Sequence, residues 1–285
     1  MSIALKLTRG NKVGLIACSD GVRVENLPKV EKLIRIMNSF GLEVVMSNTL
    51  FRRDSYFSGS PKERAWELNR LFKNEEINAI FDISGGDSAN QILEYIDYNI
   101  IRLHPKPFFG MSDLSVILNA LYTQSNSRSY HYQLMNLVSS DGVEQQAAFY
   151  RTFFEGHNDL YDFDFHWVRG NQMSGIVIGG NIRCFLKLAG TSYFPDPSNR
   201  ILFLESLSGR ANKIVSLFAQ LQQVRTFEKC AGVILGLFTE LESYNEFSIV
   251  ETYLKEISGI PIVKTNEIGH GSDSKCIVVG ENITL

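Results

Sequence analysis

An α/β fold follows from three features of the sequence. Apolar runs of strand length alternate with helical segments, many of those runs end in glycine or another small residue, and no internal repeat breaks the alternation. Runs that are apolar along their whole length suit strands buried on both faces, which calls for a parallel sheet with helices on either side. At 285 residues the chain fits two modest domains better than one.

The elements follow in order. Residues 12–19 read as a buried strand ending in small residues. Residues 28–40 carry Val30, Leu33, Ile34, Ile36 and Met37 at helical spacing, with Gly41 suited to the C-cap. A second strand covers 42–46, a loop 51–60, and Pro61 opens a helix reaching Leu71 or Phe72. The third strand, 77–84, runs directly into Gly85-Gly86, and a helix with Ile92, Leu93 and Ile96 is expected from Asp87 or Ser88. The proline and aromatic run of 106–109 make a fourth strand. Gly110 marks a sharp turn, and from Asp113 onward Leu114, Ile117, Leu118 and Leu121 share a helical face.

Residues 125–167 loosen into polar, aromatic and acidic residues with one helical run around 144–154, and a boundary is expected near 167–174, where Gly170, Asn171 and Gln172 interrupt the pattern. Beyond it, strands are expected at 175–180, 201–205, 231–237 and 260–263. Helices are expected up to Leu188 and over 211–221 and 247–257, and Gly269-His270-Gly271 falls in the loop before Cys276.

Composition narrows the function. A net charge of −3 offers no basic field for nucleic acid or an anionic membrane. The four cysteines have no C-x-x-C spacing, so neither a disulfide framework nor a zinc site is suggested, and no cofactor is expected. The start of the chain lacks the apolar core of a signal peptide, and no run has the length of a membrane span. The expectation is a cytoplasmic protein.

Ser112 stands at the corner of strand, turn and helix, where a nucleophile elbow presents its hydroxyl beside backbone N–H groups. A helix N-cap is the plainer role for the same serine, and Leu114 replaces the second glycine of the usual elbow. Gly85-Gly86 is either a tight turn or a backbone cradle for a ligand, and both turns follow parallel-type strands, which places them at one sheet edge. Glu205 ends an apolar strand, where a charge needs a partner or the strand's exposed end. His270 sits between two glycines, and His131 reads as a pocket-lining residue or a satisfied core histidine. Serine, acid and histidine in this chain order, each after a strand, match the order of α/β-type hydrolase triads.

These residues resemble a known family. Gly85-Gly86, Gly110-Met111-Ser112-Asp113-Leu114-Ser115, Gly179-Gly180-Asn181, Leu188-Ala189-Gly190-Thr191, the strand ending in Glu205 and Gly269-His270-Gly271 occur in the order seen in the LD-carboxypeptidase family of serine peptidases. The resemblance implies a Rossmann-like parallel-sheet N-terminal α/β domain carrying the serine and a smaller C-terminal α/β domain carrying the acid and base. The expected division is 1–167 and 168–285, with the site in the cleft and the protein commonly a homodimer. It implies Ser112 as nucleophile, Glu205 as acid and His270 as base, with an oxyanion hole from the backbone N–H groups of Asp113 and Gly86. Gly85, Met111 and His131 would line the substrate site, and Arg102, Arg128 and Arg183 are candidate anchors for a terminal carboxylate.

The implied activity is hydrolysis of an L,D-amide, releasing C-terminal D-Ala from a murein tetrapeptide. A peptidyl-nucleotide substrate of an immunity peptidase and a non-catalytic module binding a small anion are the alternatives. Two departures bear on substrate: Met111 stands where the family has tyrosine, and His131 is followed by Tyr132-Gln133 instead of Gly-Pro. Both are expected at pocket walls.

Overall fold

The computed structural model describes residues 5–53 and 55–285. Residues 1–4 of the start considered above for a leader, and Asp54 of the expected loop, lie outside the described residues. The first sheet contains β1 (Lys12–Ile16), β2 (Glu43–Met46), β3 (Ile77–Asp82), β4 (Phe108–Gly110) and β5 (Ser129–His131). They run parallel in the order β5-β4-β3-β1-β2, as the alternating pattern requires. The second sheet contains β6 (His166–Arg169), β7 (Ser174–Asn181), β8 (Arg200–Ser206), β9 (Gly232–Phe238) and β10 (Ile262–Lys264). β7 to β10 are parallel, and β6 pairs antiparallel with β10.

The last strands serve both sheets. β11 (Ile277–Val279) lies antiparallel on β5, and β12 (Asn282–Thr284) lies antiparallel on β7, completing six strands in each sheet. The expected division after residue 167 falls inside β6, where Trp167 pairs with Val263. No described helix is long and apolar enough to cross a membrane.

Local chemistry sets most helix limits. The helix Leu27–Ser39 buries Val30, Leu33 and Met37. Pro61–Lys73 starts from a capping box in which Ser60 and Glu63 satisfy each other's backbone N–H groups. Ala211–Gln223 and Phe247–Ile257 cover the expected spans. After Gly86, however, the chain forms a 3-10 helix, Ala89–Tyr95, instead of an α-helix. Asp97 already caps the next helix, Tyr98–Leu103, and the tighter winding sets buried Ala89 and Ile92 three residues apart on one edge. The segment after Gly110 likewise begins as a 3-10 turn, Ser112–Leu114, before the helix Ser115–Ser125.

The helix Ser115–Ser125 docks against β7 through polar contacts. Asn119 Nδ2 donates to Gly179 O at 2.7 Å, and Gly179 N donates to Asn119 Oδ1 at 2.9 Å. Asn181 N donates to Ser115 Oγ at 2.9 Å. The serine-bearing turn is thereby held beside the C-terminal end of β7.

β4 is short but fully buried, and Phe109 stacks between Phe81 at 4.4 Å and Tyr130 at 4.5 Å. Emptying a site of this size costs about 3–5 kcal/mol. Phe109→Ala is therefore expected to lower the free energy of denaturant unfolding by that amount. An unchanged unfolding midpoint would contradict the packing described.

Candidate active site

β1, β3 and β4 run in one direction, so the turns that follow them meet at one edge of the first sheet. Met111 is extended, but Ser112 has φ +61°, a conformation L-residues seldom adopt. Gly110 permits this turn, because a Cβ there would come within 2.8 Å of Leu114 Cβ. The result is a strained elbow that leaves Ser112 half-buried while Met111 and Asp113 are buried.

The turn after β3 depends on glycine for a different reason. Gly86 has φ +134°, and a side chain there would overlap the Asp20 carboxylate. Gly85 faces open space. Asp20 Oδ1 in turn accepts from Ser88 Oγ at 2.7 Å. Beneath this turn, Asp82 accepts from Cys18 N at 2.7 Å and Ser84 N at 2.8 Å, and burial pushes its pKa up to about 6 against those hydrogen bonds. The buried Arg64 guanidinium donates to Cys18 O at 2.7 Å and Gln91 Oε1 at 2.8 Å, joining the chain just after β1 to the segment after Gly86.

Asp113 links the turns. Its carboxylate is wholly buried, with Oδ2 accepting from Ser19 Oγ at 2.6 Å and from Ala89 N at 2.8 Å. Oδ1 accepts from Lys187 Nζ at 2.6 Å. Sequence reading singled out neither the Asp113 carboxylate nor Asp82, Arg64 or Lys187. An acid placed directly before an apolar run was a usable sign for Asp113. A lysine or arginine on an amphipathic helix carries no such sign.

The acid and the imidazole come together from the second sheet. His270 Nδ1 and Glu205 Oε2 are 2.6 Å apart, and the Glu205 side chain is fully buried. Glu205 lies in register with Asn181 at the end of β7. Its other oxygen is 3.8 Å from Nε2 of His131, which sits opposite Gly110 in the first sheet. The order Gly110, His131, Glu205, His270 thus leads from the serine turn to the imidazole. No hydrogen bond joins Ser112 to His270: the Nε2 atom of His270 is buried and has no partner among the described residues. Both His131 nitrogens are also buried without hydrogen-bond partners among the described residues, and burial lowers its pKa to about 4.

The candidate anchors separate by position. Arg128 pairs with Glu281 at 2.8 Å immediately before β5, and Arg102 donates to Gln124 O at 2.9 Å, so both lie toward the opposite edge of the sheet. Arg183 instead bonds Asp87, and its Nη2 is 3.4 Å from Gly86 O. One expectation needs correction. Tyr132 does not form a pocket wall, because its side chain is buried and its hydroxyl donates to Gln145 Oε1 at 2.8 Å. Tyrosine fills core space there that Gly-Pro would leave empty. Among the described residues, no three His, Cys, Asp or Glu side chains group as metal ligands.

A two-sheet α/β fold with a serine on a positive-φ turn after β4, and a buried carboxylate from β8 bonded to an imidazole from the loop after β10, has the make-up of an α/β serine hydrolase. The chain belongs to the LD-carboxypeptidase family: residues 13–132 match its N-terminal domain and residues 174–285 its C-terminal domain. It is a serine peptidase of that family. Curated relatives include the probable murein peptide carboxypeptidase of Bacillus subtilis, 24% identical over 98% of this chain and 90% of that protein. The microcin C7 self-immunity protein MccF of Escherichia coli is 26% identical over 82% of this chain and 77% of its own length. Among solved structures, MccF in its wild-type apo state superposes with a TM-score of 0.87 at 22% identity, covering 99% of this chain and 94% of the other. The muramoyltetrapeptide carboxypeptidase of Oxalobacter formigenes gives 0.79 at 21% identity, covering 96% and 94%.

A histidine held neutral by burial has a definite pH signature. With its folded pKa near 4, below the unfolded value of about 6.5, His131 binds a proton more readily when unfolded. Its contribution to stability is complete above pH ~6.5 and is lost as pH falls through about 4. Stability measured by denaturant unfolding should therefore decline less steeply over that window in His131→Asn than in the parent. Equal slopes would contradict the assignment.

Proposed function

We propose that this protein is an LD-carboxypeptidase that releases C-terminal D-Ala from murein tetrapeptide during cytoplasmic wall recycling, as a homodimer. The observation that carries the reading is the Glu205–His270 bond, which leaves the opposite ring nitrogen without a hydrogen-bond partner among the described residues. Ser112 Oγ attacks the amide carbonyl, and its proton passes to His270 Nε2. Glu205 fixes the tautomer through Nδ1 and stabilises the imidazolium. The N–H groups of Asp113 and Gly86 take the oxyanion, and the proton on His270 then goes to the departing D-Ala amine. Water enters by the same route and releases the shortened peptide from the acyl-enzyme.

Gly85 and Met111 border the scissile amide, and His131 supports the site from beneath the acid. Arg183 receives the terminal carboxylate, since of the three candidate arginines it is the one beside Gly86. The relatives named for murein peptides support this substrate. A second reading has a specific support in the likeness to MccF, which is known in complex with aspartyl sulfamoyl adenosine. Under it, the same machinery would cleave an aminoacyl nucleoside amide.

Removing a serine nucleophile lowers turnover by roughly 10³-fold or more. Ser112→Ala is expected to lose release of D-Ala from a murein tetrapeptide, read by mass spectrometry, with an unchanged circular dichroism spectrum. Undiminished release would overturn the mechanism. Release by the parent only from an aminoacyl sulfamoyl nucleoside would replace the substrate and keep the triad.

A further inference from the structure

Lys187 occupies an unusual position relative to the two turns. Its ammonium lies 2.6 Å from Asp113 Oδ1, 2.9 Å from Asp87 O and 3.3 Å from Asp87 Oδ1. Asp113 directly follows Ser112, and Asp87 directly follows Gly86. A single cation therefore grips the residue beyond the serine and the residue beyond the second glycine. It comes from the helical turn Leu186–Leu188, which follows β7 of the second sheet, so the grip also ties that sheet to the first. The lysine side chain is 19% exposed and the aspartate is not exposed at all.

The Asp113 carboxylate is the other half of the device. Through Oδ2 it also holds Ala89 N, so one side chain spans both turns from within while Lys187 spans them from outside. Such a carboxylate raises an electrostatic difficulty for acyl transfer. Buried negative charge one residue from the nucleophile opposes the negative charge that develops on the carbonyl oxygen, and in a water-poor site that opposition is poorly screened. A cation in direct contact offsets it and holds the aspartate in place.

We propose that Lys187 is a positioning residue for the oxyanion site: it fixes the separation of the Asp113 and Gly86 N–H groups and neutralises the carboxylate beside them. The inference rests on the proposed roles of Ser112 and of those two N–H groups. Because the oxyanion forms only as the reaction proceeds, loss of Lys187 should act on turnover more than on substrate binding.

The test compares purified, folded enzymes on murein tetrapeptide. Losing one oxyanion donor costs about 10²–10³-fold in kcat, and a displaced donor should approach the lower figure. Lys187→Met is expected to lower kcat about 100-fold with KM within about threefold, whereas Lys187→Arg, which keeps charge and donors, should recover most of the loss. Adding Asp113→Asn to Lys187→Met removes the stranded charge, and the double variant should turn over faster than Lys187→Met alone. It also provides a folded comparison if the single variant is unstable. A kcat within twofold of the parent in folded Lys187→Met would overturn the proposal, as would a loss confined to KM or a double variant no faster than Lys187→Met alone. Ser112→Ala run in parallel separates the two levels: an active serine variant sinks the underlying mechanism, while an inactive one beside a normal Lys187→Met sinks only this inference.

Discussion

The site depends on how the helix Ser115–Ser125 meets the edge of β7. β12 pairs with β7 only along Ser174 to Ile176, so the backbone beyond that point must find other partners. Asn119 supplies a donor and an acceptor to Gly179, and Ser115 accepts from Asn181 N. Side chains of a helix from the first sheet thus continue the hydrogen bonding of a strand in the second. Leaving such buried groups unmatched costs about 1–3 kcal/mol each, which penalises sliding or separation of the two parts. Gly180 adds a steric condition, since a side chain there would overlap Ser115. The closeness of serine turn and acid–base pair follows from this docking.

Burial then sets the chemistry. Glu205 and Asp113 are both carboxylates without exposure, but their surroundings differ. Asp113 is saturated by a cation, a hydroxyl and a backbone N–H, which suits a fixed structural charge. Glu205 has one oxygen committed to His270 and, among the described residues, one without a hydrogen bond, next to His131, whose ring nitrogens likewise have none. Saturation makes the first rigid. The second retains unspent bonding capacity, which is common where protons are to be moved and uncommon in a purely structural core.

The departures from the family pattern divide along the same line. Tyr132 is absorbed into the aromatic core beneath β5, packed near Phe149 and bonded to Gln145. Met111 is 5% exposed and remains next to Ser112, so of the two it is the change adjacent to the reacting serine. Polarisable and flexible, methionine there fills space without offering the hydroxyl that tyrosine would.

Much was legible in the sequence because it depends on local pattern. Continuous apolar runs specified parallel strands, the spacing of Val30, Leu33 and Met37 specified a helix, and Gly110 between a strand and a helical pattern specified a sharp turn. The order of Ser112, Glu205 and His270 reflects the strands they follow and was visible for that reason. Other features were decided only in three dimensions. The 3-10 winding after Gly86 depends on packing against the core, and the crossing of β11 into the first sheet joins residues far apart in the chain. The contacts of Asp113 with Ser19, Ala89 and Lys187 are of the same kind. Periodicity reports which face of an element is buried. Which charges meet once those faces are buried is a property of the packed molecule alone.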